Sequence, residues 1–378
     1  MNKFEEKELT DFVKQKKYNP LVSQIYQGSY TFCIPKKSLI NKSNSQKKRV
    51  IYSFNQDENI ILKLLVYILK EYDSSFSKNC YAFRTGMTVK KAFYDLVKIK
   101  DIDKYYAYKL DIKNYFNSID VDILLPILKE FLNDEKIYEL FEKILKADLC
   151  IHNDRILIEK RGAMAGTPFS TFLANVYLHS LDKYFEENNL IYARYSDDII
   201  VFSKSLDELQ SQINFIHNEL KKFNLDINNE KEFLFYPNTS WNFLGFKYKN
   251  KEIDLSEITL KKIKAKIRRK ARAIYRWKIQ KNKTTEHAIK VMLRVFNNKF
   301  YREKNTKDLT WSKWFFPVIT THKSLKIIDE YFISYLRYLS TGRFTKKNFN
   351  ITYEKLKSLG FRSLVHEYYL FIENNKNK

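Results

Sequence analysis

Apolar positions along the chain follow two periods, and their order predicts a mixed fold. In NIILKLLVYILKEY (residues 59–72) they fall at 60, 61, 64, 65, 68 and 69, the stripe of an amphipathic helix. YYAYKLDI (105–112) is aromatic-rich and predicts a strand running into Asp111. VDILLPILKEFL (121–132) then predicts a helix with Asp120 at its N-cap. LCIHNDRILIEK (149–160) predicts a hairpin turning at Asn153-Asp154. STFLANVYLHSLDKYF (170–185) predicts a helix buried on much of its surface, and LIYARY and IIVFS predict the arms of a second hairpin. SLDELQSQINFIHNELKKF (205–223) opens with a Ser-x-x-Glu capping box and keeps helical spacing at 206, 209, 213, 216 and 220. KEFLFY and NFLGFKY predict short strands. Residues 1–45 predict short helices and loops ending in the polar NKSNSQKK stretch, and from about residue 251 the pattern is basic helix without further strands. The order β-α-β-hairpin-α-β-β predicts an α+β domain followed by a helical one.

Length and charge sharpen this picture. A chain of 378 residues accommodates two or three domains, and 44% hydrophobic residues supply real cores. Lys and Arg total 68 against 44 Asp and Glu, a net charge of +24, which points to a polyanionic partner. The 27 Tyr and 29 Phe suit stacking on unpaired bases as well as core packing. Three separated cysteines, Cys33, Cys80 and Cys150, give neither a disulfide framework nor a zinc-type pair. The N-terminal stretch has no apolar core of a signal peptide, and no apolar run approaches the ~18 residues of a membrane span. The expected setting is cytoplasmic, with no membrane partner.

The aspartate pair Asp197-Asp198 sits between two strand-like runs. Adjacent carboxylates make either a solvated turn or a cation site. Asp111, at the end of a different strand, favours the second: three carboxylates brought together suit Mg²⁺. Two such ions ~4 Å apart clamp the attacking and leaving oxygens of a phosphoryl displacement.

YSDD in a hairpin, preceded by KLDIKNYFNSID and RGAMAGTPFSTFLANVYL, resembles the palm of a reverse transcriptase, closest to the bacterial group II intron, retron and defence-associated branch. The resemblance covers roughly residues 45–250 and rests on several motifs in order. It implies a right-hand polymerase fold: fingers at 1–104, palm at 105–250 with a fingers hairpin near 149–160, a basic helical thumb at 251–300 and a helical extension at 301–378. It implies catalytic and metal-binding roles for Asp111, Asp197 and Asp198, a minor metal contact from the Ile112 carbonyl, and two Mg²⁺ ions, with Mn²⁺ as the alternative. Phe116 falls where the family keeps an aromatic gate against the 2′-hydroxyl. Arg49 matches a cation that grips the triphosphate; Arg84, in FRTG, either does the same or braces its loop. Gly166 matches the glycine that lets the backbone approach nucleotide and template, whereas Met164-Ala165 replace the usual Pro-Gln. Lys231 falls where the family has a lysine that protonates pyrophosphate. Tyr195 and the grip-like Phe243, Leu244 and Gly245 are expected along the primer, with Trp241 either on a base or in the core.

Between Glu257 and Glu286 there is no acidic residue, while Ile263, Ile267, Ala271 and Ile274 form a buried stripe. Lys262, Lys266 and Arg269 are therefore expected on the template–primer backbone. Residues 300–378 carry no recognisable motif, and three roles are open to them: binding a structured RNA, packing on the thumb, or mediating oligomerisation. The expected activity is RNA-directed DNA synthesis from dNTPs on a dedicated noncoding RNA, in antiphage defence. The alternatives are retron or intron enzymes, an RNA-dependent RNA polymerase, and a non-catalytic RNA-binding scaffold.

Overall fold

The computed structural model describes residues 3–16, 18–41, 48–301 and 310–376; most of the NKSNSQKK stretch lies outside them. The chain divides into two units, Met1–Thr239 and Ser240–Lys378. Eleven strands occur among the described residues: β1 (Lys36–Asn41), β2 (Lys48–Ser53), β3 (Tyr106–Asp111), β4 (Leu149–His152), β5 (Arg155–Ile158), β6 (Ile191–Tyr195), β7 (Asp198–Ser203), β8 (Phe233–Phe235), β9 (Trp241–Phe243), β10 (Phe246–Lys249) and β11 (Glu252–Leu255).

The first unit holds two four-stranded sheets, ordered β2-β1-β4-β5 and β6-β7-β3-β8. In the second of these, β3 lies antiparallel between β7 and β8, with Leu110 opposite Ile199 and Tyr108 opposite Val201. Ile199, Ile200 and Val201 are fully buried because helices cover both faces of this sheet. The Leu206–Lys222 helix turns Leu209, Ile213, Ile216 and Leu220 inward, and the Ser205 hydroxyl caps it by accepting from the Glu208 N–H, as the capping box predicts. Asp120 likewise caps the Val121–Phe131 helix. Where one helix was expected over 170–185, two appear, Ser170–Tyr177 and His179–Glu187, broken at Leu178.

Three strands, β1, β2 and β11, form where the sequence predicts none. KKSLIN in β1 is two-thirds polar, and it is a strand because β2 and β4 flank it. EIDL in β11 looks helical beside its basic neighbours, yet Ile253 and Leu255 are buried in alternation and pair with β10.

In the second unit β9, β10 and β11 make their own three-stranded sheet, so the compact boundary falls at 239 although the sequence was read as one stretch to 250. The long Glu257–Gln280 helix buries Ile263, Ile267, Ala271 and Ile274 as its stripe predicts. Residues 339–341 pack on that helix: Lys278 Nζ donates to the carbonyls of Leu339 and Ser340, and Tyr275 hydroxyl to that of Thr341.

Candidate active site

Register brings the carboxylates together. Asp111, the last residue of β3, lies directly opposite Asp198, the first of β7. Paired residues of antiparallel strands share a face, so both side chains leave the sheet on the same side. Asp197 occupies the turn between β6 and β7, and its carbonyl accepts the Ile112 N–H at 2.9 Å, tying the end of β3 to the bend. Ser196 holds the left-handed conformation, φ 63°, that the tight turn needs.

Crowding makes this corner electrostatically unusual. Asp111 is 5% exposed. Burial, with Asp198 and Asp111 adding repulsion, pushes the Asp197 carboxyl up to about 6. Burial also raises Asp198, against the opposing pull of Lys109. Two lysines answer the negative charge: Lys231 Nζ lies 2.5 Å from Asp111 Oδ1, and Lys109 Nζ lies 3.7 Å from Asp198 Oδ1. Asn228 supports Asp111 through its backbone N–H, 2.8 Å from the Asp111 carbonyl, and its amide, 3.4 Å from Oδ2.

Among the described residues no group of three or more His, Cys, Asp or Glu stands ready-made around a cation position. The ammonium groups meet Asp111 and Asp198 instead. The residues nonetheless fit a hard divalent ion in kind, because they are oxygen donors whose mutual repulsion a cation relieves.

A residue that the sequence reading passed over anchors the hairpin. Arg194 in β6 is wholly buried and grips Asp182 through two bonds, Nε to Oδ1 at 2.8 Å and Nη2 to Oδ2 at 2.5 Å. It also donates to the Ser196 carbonyl at 3.3 Å, and Tyr192 hydroxyl donates to Asp182 at 2.8 Å. The signal was a lone charge inside the apolar run LIYARY, twelve residues after Asp182 in another apolar stretch. Asn175, within the RGAMAGTPFSTFLANVYL stretch, donates to the Ala82 carbonyl at 2.8 Å.

Phe116 is half-buried beside Tyr115, with its ring 6.2 Å from Phe83, which in turn lies 6.4 Å from Tyr195. Its carbonyl accepts the Ala163 N–H at 2.8 Å, and Gly162 makes that approach practicable: a Cβ there would meet Phe116 O at 2.6 Å. Arg49 stands exposed on β2, opposite Ile40.

The remaining residues expected at the site have the following surroundings. Arg84 braces its loop rather than presenting itself to a triphosphate: Nη1 donates to the Ser77 and Cys80 carbonyls and Nη2 to that of Asp73, over the Phe76 ring. Gly166, φ 102°, turns its would-be Cβ onto the Tyr52 carbonyl at 3.0 Å, so the close approach it permits is to β2. Lys231 is engaged with Asp111. Phe243 is fully buried and Trp241 is 3% exposed against Tyr248, so both are core; of the grip-like residues only Leu244 and Gly245, in the turn between β9 and β10, reach the surface. On the basic helix Lys262 and Arg269 are exposed. Lys266 is half-buried, and burial plus the neighbouring Lys299, Arg269 and Lys262 lower its pKa.

Residues 34–248 match the family model described as "Reverse transcriptase (RNA-dependent DNA polymerase)". The group II intron-encoded protein LtrA of Lactococcus lactis is 26% identical over 213 residues, 56% of this chain and 35% of that protein. The retron Ec83 reverse transcriptase of Escherichia coli is 32% identical over 111 residues, 28% of this chain and 34% of that protein. The chain thus matches about a third of the length of these relatives. An apo telomerase from Candida tropicalis shares the fold at TM-score 0.53 and 12% identity, over 88% of this chain and 60% of that one. No described helix is long and apolar enough to cross a membrane.

Proposed function

The chain belongs to the reverse transcriptase family, and from that premise we propose that it copies RNA into DNA at the Asp111–Asp197–Asp198 corner. The observation that carries this reading is the pairing of Asp111 with Asp198 at the end of β3 and β7, with Asp197 in the bend between the arms. Bound at this corner, divalent ions, Mg²⁺ or Mn²⁺, would supply charge stabilisation for displacement at phosphorus. Asp111, Asp197 and Asp198 would hold them. The chain's own residues do the rest. Lys231, already at Asp111, stands as the group that can give a proton toward a leaving oxygen. Arg49 offers a forked cation to phosphate oxygens, and Phe116 fills space under the sugar so that a 2′-hydroxyl is excluded. Lys262, Lys266 and Arg269 grip the template–primer backbone.

We place this reaction in the cytoplasm, in antiphage defence, with a structured noncoding RNA as template. Met164-Ala165 in place of Pro-Gln supports that reading, because it sets the chain apart from the intron pattern. Primer extension on an RNA template, with dNTPs and rNTPs side by side, tests the chemistry. DNA synthesis is expected from the native chain, and Phe116→Ala should admit ribonucleotides. Equal use of both nucleotides by the native chain would make it an RNA polymerase. Full biological activity in the Asp197→Asn, Asp198→Asn double variant would make it a scaffold. Sequencing co-purified nucleic acid identifies the template.

A further inference from the structure

β5 is the open edge of the β2-β1-β4-β5 sheet. All four of its residues are exposed, Ile158 at 85% and Ile156 at 62%. An exposed apolar edge without proline or lysine at its centre invites another strand, and proteins ordinarily protect such edges. The direction of its main-chain groups follows from one bond. Glu159 N–H donates to the Asp148 carbonyl of the neighbouring strand at 2.9 Å. Alternate residues, Arg155, Leu157 and Glu159, therefore turn N–H and C=O toward β4, while Ile156 and Ile158 turn theirs toward the open side.

The sequence along this edge, Asp154-Arg155-Ile156-Leu157-Ile158-Glu159-Lys160, is a charge palindrome about Leu157. We infer that β5 pairs antiparallel with β5 of a second copy of this chain, about a two-fold axis through Leu157. In that register Ile156 faces Ile158 of the other copy and the two exchange main-chain hydrogen bonds, twice by symmetry. Arg155 comes opposite Glu159, whose carboxylate also holds Lys37 of its own sheet, and the turn residue Asp154 comes opposite Lys160, so opposite charges meet across the seam. Shifting the axis to Ile158 sets Arg155 against Arg161 and Ile156 against Lys160. Shifting it to Ile156 sets Asp154 against Ile158. Only the Leu157 axis satisfies every charge. On one face Leu149 and Ile151, the β4 partners of Ile158 and Ile156, extend the apolar row across the seam. The result is one continuous sheet of eight strands. A nucleic acid would find three aliphatic side chains at the centre of this edge, with neither a ring to stack on nor a cation, so a second copy is the occupant the chemistry fits.

Sedimentation equilibrium on the full chain after nuclease treatment, across the micromolar range, reads this directly. A dimer is expected, and the Ile156→Lys, Ile158→Lys double variant should sediment as a monomer with an unchanged melting profile. Lys160→Asp and Asp154→Lys should each weaken self-association about tenfold or more by setting like charges face to face. An equimolar mixture of the two should recover the dimer, because acid again meets base; that recovery separates lost pairing from lost folding. A monomer throughout the range, a dimer indifferent to these substitutions, or a dimer that nuclease abolishes overturns the inference.

Discussion

The β4–β5 and β6–β7 hairpins of the first unit use the same local device and end in opposite circumstances. Both turn through two residues, the first at positive φ: Asn153 at 50° and Ser196 at 63°. Behind Ser196 stands a buried ion pair, Arg194 with Asp182, whose guanidinium also reaches the turn's own carbonyl. Behind Asn153 stands solvent, and β5 has one strand neighbour only. Backbone chemistry alone therefore makes a hairpin. What lies beneath it decides whether its side chains are held to a fixed geometry, as carboxylates serving chemistry require, or left open to pair with something else.

Breaking the held hairpin at its tip should have the largest effect. Asp197→Asn keeps shape and removes charge, and primer extension should fall by about a hundredfold or more. Magnesium should raise the melting temperature of the native chain and lose that effect in the variant, read by differential scanning fluorimetry. Breaking the hairpin at its root comes next. Asp182→Asn leaves Arg194 buried without its counter-charge and should cost about 3–5 kcal/mol in denaturant unfolding. Gly162→Ala probes the loop beside Phe116: a Cβ 2.6 Å from the Phe116 carbonyl, at φ 56°, forces a shift. It should cost about 1–3 kcal/mol and blur sugar discrimination, seen as rNTP incorporation. The exposed hairpin should tolerate most. Asn153→Ala puts a poor residue into left-handed backbone and should cost about 1 kcal/mol, with primer extension unchanged.

The same contrast explains what the sequence disclosed. Elements with a strong period were legible end to end: the β6–β7 hairpin, the capped Leu206–Lys222 helix, and the basic helix whose four named stripe residues are all buried. The approach of Asp111 to the Asp197–Asp198 bend was legible through the resemblance of KLDIKNYFNSID and YSDD to the family's palm, and the strand register brings Asp111 opposite Asp198. Features set by distant partners were not. β1 is polar by composition and becomes a strand through β2 and β4. Arg84 was open between gripping a triphosphate and bracing its loop, and only the fold shows it engaged with three carbonyls; the contact of Lys231 with Asp111 likewise depends on residues far apart in sequence. Asp182 and Arg194 lie twelve residues apart in different elements, and only the fold makes them a buried pair. Phe243 shows the reverse error, since a motif position expected at the primer is simply core.

The pairing of residue 111 with residue 198 also limits how this corner can change over time. Side chains alternate along a strand, so deleting or inserting one residue in β3 or β7 would swing one carboxylate to the opposite face rather than displace it slightly. Intermediate versions of the site are not on offer. A lineage carrying this architecture can drift freely in the outer hairpin, but along these two strands it must conserve length even where it does not conserve letters.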